Sequence, residues 1–139
     1  MLKVFEGLQV DFSPFFSEPA NLPFLVAGIV SAVVWAIHIF IGGPKVARPL
    51  LEAKLGNTVK YTQYYCWHLV TIVLFVMASA FVYSAFRASD LGWVMTLLGG
   101  AFALWGLLSP PFVKQSYLNL PQGWLFVPVT AFGLWGLFV

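Results

Sequence analysis

The sequence predicts an all-α integral membrane protein, a bundle of four transmembrane helices preceded by a short interfacial segment. Three observations carry that expectation. Of the 139 residues, 60% are hydrophobic and only 9% charged, against roughly 25% charged in an average soluble protein, so a soluble domain of this length could not hide its apolar surface. Four apolar stretches, at about 22–43, 61–86, 91–109 and 122–139, each come near the ~20 residues that a helix needs to cross a ~30 Å hydrocarbon core. The basic residues, finally, fall mainly in two short loops on one side of those stretches, as orientation in a membrane requires. The composition excludes a DNA-binding domain, a disulfide-stapled secreted module, a disordered regulator and any enzyme that needs a sizeable water-soluble domain. A net charge of +2 is explained by loop topology and implies no nucleic acid or other polyanionic partner. Cys66 stands alone, so no intramolecular disulfide is possible.

Residues 1–21 lack the basic start, unbroken apolar core and cleavage site of a signal peptide. Their apolar side chains are interleaved with Glu6, Asp11 and Glu18, a pattern suited to lying at the membrane interface. Residues 22–139 form a single transmembrane domain. The first span, 22–43, has Pro23 in its opening turn, where a missing N–H is tolerated, and is expected to end at Gly42, Gly43 and Pro44. A short amphipathic helix is expected in the loop beyond, from Pro44 to Leu55. The second span covers 61–86 and the third 91–109, with Ser89 or Asp90 as candidate N-cap. So short a connection makes these two spans antiparallel neighbours. Pro110 and Pro111 are expected to stop the third span, since neither can continue a hydrogen-bond ladder. The fourth, 122–139, contains Pro128 and is short for a crossing.

Orientation follows from the short loops. Lys45, Arg48, Lys54, Lys60 and Lys114 fall on one side, Lys3 and Arg87 on the other. Both basic loops are therefore expected in the cytoplasm and both termini outside, in a bacterial inner membrane. Trp67, Trp93, Trp124, Tyr61, Tyr64, Tyr65 and Tyr117 fall near span ends, where amphipathic rings prefer the headgroup level. Ala101–Leu108 (AFALWGLL) nearly repeats Ala131–Phe138 (AFGLWGLF). On antiparallel spans the two copies would lie at opposite faces, as in inverted repeats, although these residue types are common in all membrane helices.

The chain has no G-x-S-x-G, phosphate loop, H-E-x-x-H, C-x-x-C or dinucleotide fingerprint. Its carboxylates, Glu6, Asp11, Glu18, Glu52 and Asp90, lie outside the expected hydrocarbon. Acid–base catalysis by paired buried carboxylates is thereby disfavoured, and so is ion-coupled transport. The ionisable residues inside spans are the two histidines, His38 and His68, each roughly 7–11 Å inside the cytoplasmic boundary. His38 continues a stripe of Gly28, Ser31, Trp35 and Gly42, and His68 a stripe of Tyr61, Tyr64 and Thr71. Polar stripes face a bundle interior, and the simplest packing turns the two imidazoles toward each other. Such a pair could ligate haem b from opposite faces, or another metal. Tyr64 would orient His68 or bind a substrate oxygen, Trp35 would pack on the ligand, and Arg48 would meet a propionate or another bound acid. Equally, the histidines could hydrogen-bond across helices and hold two spans in register.

Thr96, Gly99, Ala103 and Gly106, with Thr130, Gly133 and Gly136, offer small faces for close helix approach. Phe102, Trp105, Phe126, Phe132 and Trp135 are left for lipid or the flank of a larger complex. The leading functional expectation is a non-catalytic accessory or assembly subunit of a membrane complex, whose partners are the bilayer and other integral membrane subunits or further copies of itself. The alternatives are a haem- or metal-binding redox protein using the histidine pair, and, third, a small oligomeric carrier or channel.

Overall fold

The structure, a computed structural model, describes residues 19–139; all but the end of the expected interfacial segment lies outside them. The described chain is all helical: α1 (Leu22–Ile37), a π-helical stretch (His38–Ala47), α2 (Arg48–Glu52), α3 (Asn57–Phe86), α4 (Leu91–Phe112) and α5 (Gln122–Gly136). Three continuous helical runs are long and apolar enough to cross a membrane: Leu22–Glu52, Asn57–Phe86 and Leu91–Phe112. The 15 residues of α5 extend about 22 Å, short of a ~30 Å hydrocarbon core.

α1 starts where the sequence supplies a cap. The Asn21 side chain accepts from the Phe24 N–H at 3.0 Å, with Pro23 in the first turn. The same residue fastens α1 to two other helices. Its backbone N–H donates to the Ala85 carbonyl at 2.7 Å, and its side-chain amide donates to the Gly136 carbonyl at 2.8 Å. The helix does not stop at Gly42, Gly43 and Pro44 as expected. It widens into ten residues of π-helix that contain Pro44 and continues into α2. A proline clashes with the carbonyl four residues back and cannot donate to it. An i→i+5 pattern reroutes the ladder around that defect, so the helix bulges instead of breaking. The expected amphipathic loop helix is therefore the end of the first helical run rather than a separate element.

Three further boundaries differ from expectation, one of them the end of α5 at Gly136 in place of 139. α3 begins at Asn57, a turn before 61. α4 passes through Pro110 and Pro111 to Phe112. Proline's fixed φ is itself helical, so α4 continues through both residues at the loss of two donors, and the Leu107 carbonyl, four residues before Pro111, accepts from the Tyr117 hydroxyl at 3.0 Å instead. Lys114, at φ 54°, turns the chain left-handed and ends the element. At the start of α4 the two candidate caps divide the role: Asp90 holds the N-cap position without a side-chain bond, while the Ser89 hydroxyl accepts from the Leu91 N–H at 3.0 Å.

Packing is up-and-down around the order α3, α1, α5, α4. Along α1 and α3 the partners run in opposite directions, from Asn21 beside Ala85 to Trp35 beside Phe75 and His38 beside Thr71. α4 and α5 are antiparallel too, from Gly106 against Gly123 to Thr96 against Gly133. Phe24 lies against both Gly92 and Gly136, which places the start of α1, the start of α4 and the end of α5 at one end of the bundle. The core is apolar, with Ala27, Leu74, Met77, Phe81 and Val129 almost fully enclosed. A methyl group on Gly106 would sit 2.5 Å from the Cα of Gly123, so only glycine permits this approach. The small faces of α4 and α5 thus meet each other. The two AFxLWG copies differ in role: Gly106 receives a backbone, whereas Gly136 receives the ring of Phe24.

Candidate functional site

The polar side chains inside the bundle are local in their habits. The hydroxyls of Ser31, Thr71, Ser79, Thr96 and Thr130 each donate to the carbonyl four residues earlier, at 2.7–3.0 Å. Such bonds satisfy a hydroxyl inside its own helix. Against that background the histidine region, like Asn21 at the other end of the bundle, bonds between helices.

His38 stands at the first position of the π-helical stretch. Its Nε2 lies 3.1 Å from the Thr71 hydroxyl oxygen and 3.3 Å from the Trp67 carbonyl. A carbonyl only accepts, and the Thr71 hydroxyl donates to that same carbonyl at 3.0 Å. A proton on Nε2, shared between the two oxygens, therefore satisfies the whole cluster. The imidazole also stacks on the Trp67 indole, with centroids 3.9 Å apart and planes inclined by 15°. On the next turn a Cβ on Gly42 would lie 2.7 Å from the far edge of that indole. The missing side chain at Gly42 is what lets Trp67 lie flat against the first helical run. Gly42 accordingly seats an aromatic ring, where a helix terminus was expected.

His68 occupies the neighbouring position on α3 and is exposed. Its ring meets Tyr64 edge-on at 4.6 Å and 88°. The histidines thus have separate aromatic partners, His38 on Trp67 and His68 on Tyr64. Arg48, Tyr64 and His68 are nevertheless brought together, since all three line one cavity of about 390 Å³ with Trp67 and Thr71. His38 and Trp35 do not line it. Trp35 belongs to a second, apolar cavity of about 520 Å³ beside Phe75, with ring centroids 5.9 Å apart. The Trp35 indole N–H is buried without a hydrogen-bond acceptor among the described residues. Of the five residues singled out from sequence, three therefore share a cavity, one clamps helices beside it, and one lines the cavity further along the seam.

Sequence reasoning missed Trp67 as the hub of this region. It read the residue as an interfacial ring, whereas its carbonyl and its indole both engage His38. The available signal was Gly42, four residues after His38 and at matching depth to Trp67. No cluster of three or more His, Cys, Asp or Glu side chains suited to a metal ion occurs among the described residues. Cys66 is exposed. No protein-family model matches the chain, and no curated protein and no solved structure is detectably similar to it.

Proposed function

We propose that this chain is a non-catalytic accessory or assembly subunit of a larger inner-membrane complex. It crosses the bilayer four times, with the basic loops cytoplasmic and both termini outside. The observation that supports this reading is the use made of intramembrane polar groups. His38 Nε2 is held by Thr71 and the Trp67 carbonyl, the intramembrane hydroxyls bond within their own helices, and the centre is closed by Phe81, Leu74 and Met77. A subunit of this kind has no polar passage of its own and acts through its flanks. Those flanks are rich in exposed aromatics, with Trp105 70% and Trp135 59% exposed, residues suited to lipid or to a neighbouring helix. α5 lies antiparallel along α4 from Gly123 to Gly133, which supports a fourth crossing completed by the residues flanking this short helix.

Oxidised and dithionite-reduced optical spectra of protein purified from native membranes test the role of the histidines. A structural His38 predicts no Soret band at stoichiometric intensity, and a His38→Ala variant that folds with reduced stability. A Soret band that shifts on reduction and disappears in both His38→Ala and His68→Ala would overturn this reading in favour of haem ligation.

A further inference from the structure

The two cavities lie along one seam. On α3 their lining residues Tyr64, His68, Thr71, Phe75, Ser79 and Val82 recur at steps of three or four, which is one helical face. On the first run, Gly28, Ala32, Trp35, Ile39, Gly43 and Ala47 do the same. Beyond Ile39 the steps are four throughout, and the π-helical stretch keeps them aligned, because its turns are wider than α turns. The seam therefore carries two cavities in line, one with polar side chains in its lining and the other apolar. At the polar end stand the Arg48 guanidinium, the Tyr64 phenol and the His68 imidazole, with no carboxylate in the lining. Among the described residues the Arg48 guanidinium has no ion-pair or hydrogen-bond partner. The apolar end is floored by Gly28 and Ala32 and walled by Trp35, Phe75 and Val82.

The geometry points to a bound anionic phospholipid of the leaflet next to Arg48. Its phosphate would sit against Arg48, His68 and Tyr64, and one acyl chain would run along the seam. A planar guanidinium suits two phosphate oxygens at once, and the phenol and imidazole add hydrogen-bond donors beside it. The lengths agree. Half of a ~30 Å hydrocarbon core is about 15 Å, or about ten residues of helix, which from Tyr64 near the expected boundary reaches Leu74, beside Phe75 at the edge of the apolar cavity. A free phosphate would leave that cavity unexplained, and in a zwitterionic lipid the cation beside the phosphate would offset the charge that Arg48 meets.

Native mass spectrometry of the detergent-purified protein, titrated with dioleoylphosphatidylglycerol and dioleoylphosphatidylcholine, tests the site. The wild-type chain should retain the anionic lipid about fivefold or more tightly than the zwitterionic one. Arg48→Gln should remove most of that preference, and Arg48→Lys should restore part of it. Ala32→Phe, which fills the apolar floor, should weaken both lipids alike. Lys114→Gln removes a charge from the other basic loop and should leave the preference intact. Equal retention of the two lipids by the wild-type chain would overturn the proposal without recourse to any variant. So would a loss in Lys114→Gln as large as that in Arg48→Gln, which would mean general attraction to a basic surface.

Discussion

At the scale of single residues, the informative contrast is between the two histidines. The sequence places them at equal depth on adjacent spans, and that much follows from counting helical rise. Whether they face each other depends on rotation about two helix axes, and rotation is set by partners that spacing does not reveal. Trp67 sets the position of His38, stacking on it at 3.9 Å while its carbonyl accepts from the imidazole. Loss of an interhelical hydrogen bond in a membrane protein costs ~0.6 kcal/mol on average and up to ~1.7, and His38→Ala also loses the stack. Unfolding of the purified protein in detergent should therefore show His38→Ala destabilised by about 1–2 kcal/mol. Thr71→Val should cost less, because Trp67 still accepts from the imidazole. Sharing one network, the two changes should be less than additive in the double variant; strict additivity would show that His38 and Thr71 act independently. Gly42→Val should displace the Trp67 indole, read as a shift in tryptophan emission against the Trp67→Phe background.

Among the helical elements, their existence and kind were legible, and their ends were not. Long apolar stretches force helices in a membrane, because lipid satisfies no backbone donor. The start of α1 at Leu22, with Pro23 in its first turn, was legible; the Asn21 cap on the Phe24 N–H was found only in the structure. The prolines misled in the same direction twice, because a proline in a helix has more outcomes than termination. At Pro44 the ladder widens, and at Pro110 and Pro111 the helix simply proceeds with fewer donors. Asn21→Ala should cost about 1–2 kcal/mol, since it removes both the N-cap and the tie to Gly136. Asn21→Asp keeps the cap and loses only the tie, so it should recover part of that cost in the same unfolding measurement. Gly123→Leu places a side chain where α4 and α5 touch backbone to backbone, and should destabilise by at least the ~1–3 kcal/mol typical of overpacking. A neutral result there would mean that α5 does not pack on α4 as described.

For the molecule as a whole, composition was sufficient to predict a helical membrane protein, and three helical runs have the length and apolarity to cross. The cavity seam was only partly legible. Arg48, Tyr64 and His68 were singled out from sequence for a bound acid or metal, but the cavity they share is also built from Ile39, Gly43 and Ala47 of the π-helical stretch, which helical periodicity does not anticipate. Cysteine labelling from either side of native membranes, in a Cys66→Ser background, tests the arrangement. Lys54→Cys and Lys114→Cys should react from the cytoplasmic side, and Ala88→Cys and Val139→Cys from the other; reaction of Val139→Cys together with Lys114→Cys would show that α5 does not cross. The subunit role is tested most directly by native mass spectrometry of the assembly released gently from native membranes. An accessory subunit predicts the 15.4 kDa chain in fixed stoichiometry with other integral membrane polypeptides and without a haem mass. A chain found alone, or only with its own copies, and carrying a haem lost in His38→Ala and His68→Ala, would contradict it.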